Sequence, residues 1–467
     1  MSDELRGADL EAVRRQLGRE PTTPFSVIAR CTGGHPLVIR NRPLDAAGDP
    51  FPTIYWLTCP DAVRAVSRLE SEGRIAGLND RYDADQELRD AVDRAHTAYA
   101  AERDEVLPGA GAWGGVGGTR RKIKCLHAHF AYHLAGGEDV VGRWTAERVE
   151  PVHPTEPGGR VAAIDQGTNS TRLLVLEPRG PGEDPLELSR DMRITRLGKD
   201  VDRTGRLDRD SIDRAVDAVA RFARRARALH AERIRLGATS AVRDASNREE
   251  FLGPLRELIR AEPEVIEGEQ EAALSFLGGT RGLDPSRGPF LLVDIGGGST
   301  EFVFGRQPTV VEHAISTQMG SVRLTEQVGP SDPPSDADLE AFDELIEERL
   351  EEVQRAVPVG DARTLVAVAG TATTLQACAL RLERYDPDLI HRSTLTLAEA
   401  ERTVRELAAM TNEERAAIPV MPKGRGDVIV AGARILLDAM RRFGFEEALV
   451  SETDILDGLA LELLDVR

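Results

Sequence analysis

The chain has 467 residues, 41% of them hydrophobic, and a formal net charge of −19; that length suits about three domains, and that composition supports packed cores rather than a disordered polymer. Its acidity disfavours broad binding to nucleic acid or to an anionic membrane, while leaving room for one local basic cleft. Four scattered cysteines, with no charged-then-apolar leader and no long apolar run, predict a reduced, cytoplasmic protein.

Residues 1–135 read as one small α+β domain. A short helix is expected over 11–17, strands over 25–31 and 37–40, and an aromatic strand within 51–60, closed by Pro60. Ala62, Val63, Val66 and Leu69 keep helical spacing, and a second helix covers 84–105. A glycine-rich loop over 109–118 leads into the basic run 120–124, read as a solvated face, and then into Cys125-Leu-His127-Ala-His129-Phe-Ala-Tyr-His133. Thiolates and imidazoles are good zinc ligands, but Cys31 and Cys59 come singly rather than as a C-x₂-C pair. Buried cysteines on a mixed helix surface are therefore favoured. Residues 136–159, with Gly136, Gly137, Pro151, Pro154, Pro157, Gly158 and Gly159, read as a linker. Every later motif lies beyond it, so the remainder is expected to hold separate cores and to work without the first domain.

After the linker, strands and helices alternate. A hairpin starts at Val161, followed by a strand over 192–197, a helix over 210–230, a strand over 233–238 and a helix over 247–260 capped by Ser246 or Asn247. Arg214, Arg221 and Arg225 share one face of the 210–230 helix, and a solvated face is favoured over a guide for polyanions. Further on come a strand over 310–315, an acidic helix over 335–357, a strand over 365–368, and a helical remainder with helices over 427–440 and 455–464.

The stretch 290–305, Phe-Leu-Leu-Val-Asp-Ile-Gly-Gly-Gly-Ser-Thr-Glu-Phe-Val-Phe-Gly, reads as two buried strands around a glycine turn. Gly296, Gly297 and Gly298 permit φ > 0 and can turn successive N–H groups toward an anion, with the hydroxyls of Ser299 and Thr300 beside them. Asp294 and Glu301 bracket the loop. Carboxylates next to a phosphate repel it unless a divalent cation intervenes, so both are candidate Mg²⁺ ligands. A tight glycine hairpin in a sheet core is the plainer alternative. The stretch 161–177 repeats the pattern: strand, Asp165, a turn containing Gly167, Thr168, Asn169 and Ser170, then Arg172 within a second strand. Two such hairpins predict two related half-domains facing a cleft, with Asp165 the counterpart of Asp294. Gly370, Thr371 and the threonines after it offer a third phosphate contact, at the start of a helix.

The ordered set Asp165-x-Gly-Thr-Asn-Ser-x-Arg172, Thr239-Ser-Ala-Val-Arg243, Glu267-Gly-Glu-Gln-Glu271, Asp294-Ile-Gly-Gly-Gly-Ser-Thr-Glu301 and Gly370-Thr-Ala-Thr-Thr resembles the Ppx/GppA phosphatases, the exopolyphosphatases and guanosine pentaphosphate phosphohydrolases. The first 135 residues resemble a small uncharacterised domain family of actinobacteria. The main resemblance implies an α/β fold of two actin-like, Hsp70-like, sugar-kinase-like (ribonuclease H-like) lobes, over 160–274 and 275–467. It also implies Glu271 as catalytic base, Arg243 as a phosphate-binding arginine beside it, Asp294, Glu301 and Asp165 at Mg²⁺, and Gly167 to Ser170, Arg172, Gly296 to Thr300, Gly370 and Thr371 on phosphate. In-line attack by water needs these parts: a base, a cation and donors to the transferred group. Long family members append a C-terminal helical domain that grips long polymers. None is seen here, which implies short substrates, and Leu456-Asp457 stands where some relatives carry Arg-Glu.

The expected reaction is Mg²⁺-dependent release of terminal phosphate from inorganic polyphosphate, of short chains first. Guanosine pentaphosphate (pppGpp) is the alternative substrate, and a non-catalytic nucleotide-binding switch is the alternative of another class. Neither nucleic acid nor membrane is an expected partner, and a homodimer is compatible with the sequence.

Overall fold

The computed structural model describes residues 7–45, 47–149, 159–180 and 183–464. The N-terminal domain begins with the helix Gly7–Leu17 and an antiparallel sheet of β1 (Phe25–Arg30), β2 (Pro36–Asn41) and β3 (Tyr55–Leu57). Only three residues of the aromatic stretch pair as a strand. The helices Pro60–Ser71, Arg74–Ala84, Gln86–Val106 and Leu126–Leu134 follow.

The first half of the predicted linker is folded. Helix Val140–Ala146 is capped by Asp139, which accepts from the N–H groups of Val141 and Gly142 at 2.9 and 2.8 Å. The other Asp139 oxygen meets His129 Nδ1 at 2.7 Å in a fully buried pair. A Cβ on Gly142 would lie 2.3 Å from the His129 carbonyl oxygen and one on Gly137 2.4 Å from the Tyr132 ring, so these two glycines serve close packing rather than flexibility. Residues 150–158 of that linker lie outside the described residues.

Each lobe is built around one sheet. In lobe I, β4 (Val161–Gln166), β5 (Ser170–Glu177) and β6 (Leu186–Ile194) form an antiparallel meander, and β7 (Arg233–Ala238) and β8 (Glu264–Val265) add in parallel, in the order β6-β5-β4-β7-β8. Lobe II repeats the scheme with β9 (Phe290–Ile295), β10 (Thr300–Gly305), β11 (His313–Thr317), β12 (Thr364–Val368) and β14 (Glu447–Val450). The antiparallel edge strand β13 (Ser393–Thr396) closes its order β11-β10-β9-β12-β14-β13. The shared strand order makes these the two related halves that the paired hairpins predict. The segment read as a helical remainder thus contributes two strands, β13 and β14. Residues 247–260 are helical over Glu249–Ile259, and Asn247 caps nothing there; its side chain instead brackets the backbone of Leu207.

Two helices cross between the lobes. Gly268–Thr280 leads from lobe I into lobe II, and Ile455–Leu463 returns to pack Leu456, Leu459 and Ala460 against Val161, Ala163 and Leu174 of lobe I. The lobes are therefore not simple consecutive segments divided after residue 274. Where the helices touch, Gly278 and Gly458 face the other backbone: a Cβ on Gly278 would lie 1.9 Å from Asp454 O, and one on Gly458 2.1 Å from Leu274 O.

The expectation of separate cores is not met. Buried residues of β1, β3 and the helix Leu126–Leu134 join those of β4, β5 and the helix Arg209–Ala228 in one apolar cluster. Arg221 and Arg225, read as solvated, lie 5% and 1% exposed beneath the N-terminal domain. Arg221 pairs with Glu102 and donates to Tyr55 Oη at 2.6 Å, while Tyr132 Oη donates to Glu102 at 2.8 Å. Arg225 pairs with Asp191 at 2.7 Å and donates to the Ala135 carbonyl. Along the sheet edge, Ser189 Oγ of β6 donates to Ile28 O of β1 at 2.7 Å.

Candidate active site

The β9–β10 hairpin sets Asp294 opposite Glu301, and β11 sets Ser316 opposite Glu301, so all three side chains leave the same face of the sheet. Ser316 Oγ donates to Glu301 Oε1 at 2.7 Å, and Ser275 Oγ, on the crossing helix, donates to Asp294 Oδ2. Glu271 projects from the first turn of that helix and is 7% exposed. Arg243 Nη1 donates to Glu271 Oε2 at 3.1 Å and to the Ile266 carbonyl at 2.6 Å.

Lobe I supplies the opposite wall. The register partner of Asp165 is Arg172, which therefore takes in lobe I the position that Glu301 takes in lobe II. Arg172 Nε and Nη2 donate to Asp165 Oδ2 at 2.9 and 2.7 Å, and Nη1 binds Asp454 at the head of the returning helix. Glu271, Glu301, Asp294, Asp454 and Asp165 thus make an arc of carboxylates with one guanidinium at each end. Burial and the neighbouring Glu301 hold the Glu271 and Asp294 carboxyls well above the usual range. Burial pushes Glu301 up to about 7, against the hydroxyls of Ser316 and Ser299. An all-oxygen set with this excess of negative charge fits Mg²⁺ at Asp294 and Glu301. Asp165 fits less well, because a guanidinium already neutralises it.

Glu271, Asp294, Asp454 and Asp165 of this arc border a cleft of about 140 Å³ between the lobes. Gly167, Thr168, Asn169, Ser170 and Arg172 line it from lobe I, and Gly296, Gly297, Gly298, Ser299, Gly370 and Thr371 from lobe II, as the sequence predicts. The reason for the glycines differs from the expected one. None of the three in the lobe II loop has positive φ. A Cβ on Gly297 would instead meet Thr168 Cβ at 2.9 Å, and one on Gly298 would meet Ser240 Oγ at 2.6 Å, so the loops need glycine to approach across the cleft.

Three predicted site residues, Glu301, Thr300 and Arg243, are absent from the cleft wall; Glu301 is 1% exposed and is held by Ser316 next to Asp294 in the sheet. Thr300 is fully buried and donates to the Met319 carbonyl on the core side of its strand. Arg243 lies behind Glu271, where it orients that carboxylate rather than facing the cavity. Residues that sequence reasoning missed fill the far side: Arg190, Tyr385, Glu452, Asp454 and Arg425. Arg425 donates to Gly370 O at 2.6 Å and to Thr374 Oγ1 at 2.8 Å. One signal was available for it, a lone arginine in the Gly/Pro turn 421–426 directly before an apolar helix. Leu456 lines the cleft, while Asp457 turns to Arg190 at 2.6 Å. Ion pairs tie the lobes at the rim, Arg196 to Asp427 at 2.7 Å and Arg323 to Asp202 and Asp244.

The sequence profile of the Ppx/GppA phosphatase family matches residues 180–466, more than half of the chain. The chain belongs to the Ppx/GppA phosphatase family. As a member it is a hydrolase acting on phosphoanhydride bonds. Exopolyphosphatase 2 of Mycobacterium tuberculosis is 42% identical over 318 residues, which cover 65% of this chain and 98% of the relative. Exopolyphosphatase 1 of the same organism is 30% identical over 311 residues, covering 66% and 88%. Among solved structures, a Cytophaga hutchinsonii exopolyphosphatase aligns with a TM-score of 0.61 at 27% identity, over 66% of this chain and 99% of that one. The Aquifex aeolicus member of the Ppx/GppA family aligns with a TM-score of 0.55 at 32% identity, over 66% and 98%. The profile of a family of unknown function, DUF501, matches residues 27–147, and so takes in the helix Val140–Ala146. Among the described residues, no helix is long and apolar enough to cross a membrane.

Proposed function

We propose that this Ppx/GppA phosphatase is a Mg²⁺-dependent exopolyphosphatase that releases orthophosphate from the end of short inorganic polyphosphate chains. The arc of buried carboxylates facing two backbone loops across one cleft carries the proposal, and the names of the two mycobacterial relatives support it. The loops over 167–170 and 296–299, with Arg172, hold the terminal phosphoryl group and fix its orientation. Glu271, aligned by Arg243, orients a water and takes its proton as the water oxygen bonds to phosphorus and the bridging oxygen leaves with the shortened chain. When bound, Mg²⁺ supplies the positive charge that lets these carboxylates stay ionised beside a polyanion.

Short chains are favoured because a net charge of −19 repels a long anion outside the cleft. Among the described residues Tyr385 is the one aromatic side chain lining the cleft, and its hydroxyl is spent on Glu452, which argues against a dedicated guanine platform. Phosphate release from a short polyphosphate, a long one, pppGpp and ATP, compared as kcat/KM at fixed Mg²⁺ and ionic strength, tests the proposal. The short polyphosphate should lead. A lead for pppGpp moves the assignment to a guanosine pentaphosphate phosphohydrolase, and release from none of the four supports a nucleotide-binding switch.

A further inference from the structure

Far from the cleft chemistry, the N-terminal domain holds a mixed donor cluster. Glu70 lies in the last turn of helix Pro60–Ser71, Cys125 directly precedes helix Leu126–Leu134, and His127 lies in that helix's first turn. One ligand atom from each lies within 4.8 Å of the other two. His127 Nδ1 is 3.2 Å from Glu70 Oε1 and 3.9 Å from Cys125 Sγ. The other ring nitrogen, Nε2, lies 3.2 Å from the Val63 carbonyl oxygen and 3.1 Å from Ser67 Oγ. A carbonyl can only accept, so Nε2 carries an N–H; Nδ1 faces a carboxylate oxygen that likewise only accepts, so it carries a proton too, which a cation binding there would displace to take the Nδ1 lone pair. Metal-binding histidines are oriented in this way, by a backbone carbonyl on the far nitrogen. Glu70 is held too, because Oε1 accepts the Leu126 N–H at 2.6 Å. All three side chains are partly exposed and reachable from solvent.

Two other uses of this trio fit less well. A nucleophilic cysteine needs a histidine that bridges thiol and acid through opposite nitrogens, whereas here both partners face Nδ1. A plain Glu70–His127 ion pair gives Cys125 Sγ no part. Around a tetrahedral Zn²⁺, nitrogen and oxygen ligands stand about 3.3 Å apart and nitrogen and sulfur about 3.6 Å apart. The observed separations of 3.2 and 3.9 Å are close to both. We propose that Glu70, Cys125 and His127 form a zinc site in the N-terminal domain, with a fourth position open to water or an exogenous ligand. The site joins the end of one helix to the start of another, and zinc there stabilises the domain as well.

The test uses the full-length protein, stripped with a chelator and titrated with Co²⁺ and then Zn²⁺. About one equivalent of cobalt should give a thiolate-to-cobalt charge-transfer band with the intense visible bands of four-coordinate cobalt, and zinc should abolish both. Cys125→Ser should lose the charge-transfer band, and His127→Gln should weaken cobalt binding at least about tenfold. Cys31→Ser and Cys59→Ser should keep the band, with circular dichroism confirming that each variant is folded. Cobalt held in the active-site cleft gives no thiolate band, because no cysteine among the described residues lines it. Wild-type protein without the band, or a band that persists in Cys125→Ser, overturns the proposal. If Cys125→Ser fails to fold, the wild-type and His127→Gln spectra decide.

Discussion

Glu271 is hydrogen-bonded to the Arg243 guanidinium and has Glu301 and Asp294 as carboxylate neighbours. Glu271→Gln keeps the shape and the Arg243 contact but cannot take a proton, so kcat should fall by roughly 10²–10⁴ with KM little changed. A variant with wild-type kcat would remove Glu271 from the chemistry. Asp294→Ala and Glu301→Ala should each raise the Mg²⁺ concentration that half-saturates activity. Thr300→Val, next to Glu301 but on the other face of the strand, should leave that concentration alone. It should instead lower stability by about 1–3 kcal/mol, since the buried Met319 carbonyl loses its donor. Identical Mg²⁺ curves for all three variants would detach the acids from the cation. Most of this site is legible in the sequence because two hairpins deliver their residues locally. The strand period of two also excludes Thr300, since neighbours on β10 cannot share a face. Arg425, Glu452 and Asp454 were not legible as a group, because only the folding of lobe II brings those segments together.

The crossing of helices Gly268–Thr280 and Ile455–Leu463 sets how the lobes meet. Alanine normally favours a helix over glycine by up to about 1 kcal/mol. At Gly278 and Gly458 the added methyl would overlap backbone atoms at 1.9 and 2.1 Å, and backbone cannot rotate away. Gly278→Ala and Gly458→Ala should therefore destabilise by roughly 1–3 kcal/mol and reduce activity. Gly77→Ala, in helix Arg74–Ala84 with open space around the new methyl, should instead stabilise slightly. Thermal melts of the three variants check the ranking, and a Tm gain at Gly278 or Gly458 would refute the close-crossing account. At this scale, long periodic helices read well: Asp336–Ala356 and Ile429–Phe443 fall within three residues of their predicted limits. Strand β14 does not. It is a short strand, Glu-Ala-Leu-Val, whose three consecutive buried apolar residues show no alternation, which the sequence cannot distinguish from buried helix.

The N-terminal domain and lobe I share one core, and the Arg221–Glu102 pair lies inside their contact. Glu102→Gln leaves the Arg221 guanidinium buried without a counter-charge, at a cost of roughly 3–5 kcal/mol. Burial raises the Glu102 pKa, but Arg221 outweighs it, so the folded value lies below normal. The stabilisation is thus complete above the unfolded carboxyl pKa of about 4.3 and is lost as pH falls through the lower folded value. The Tm gap between wild type and Glu102→Gln should narrow on acidification; a gap independent of pH would contradict this role. That interface was hidden from the sequence, because an arginine face on an amphipathic helix looks the same whether water or another domain covers it. The seating of β1 along β6 has one more outcome. Strand β6 runs nine residues along the rim of its sheet, and an uncovered rim of that length is a template for strand-by-strand stacking with other copies. The fused domain seats β1 beside this rim, so a fragment starting at residue 159 is expected to scatter light as growing aggregates at concentrations where the whole chain stays dispersed.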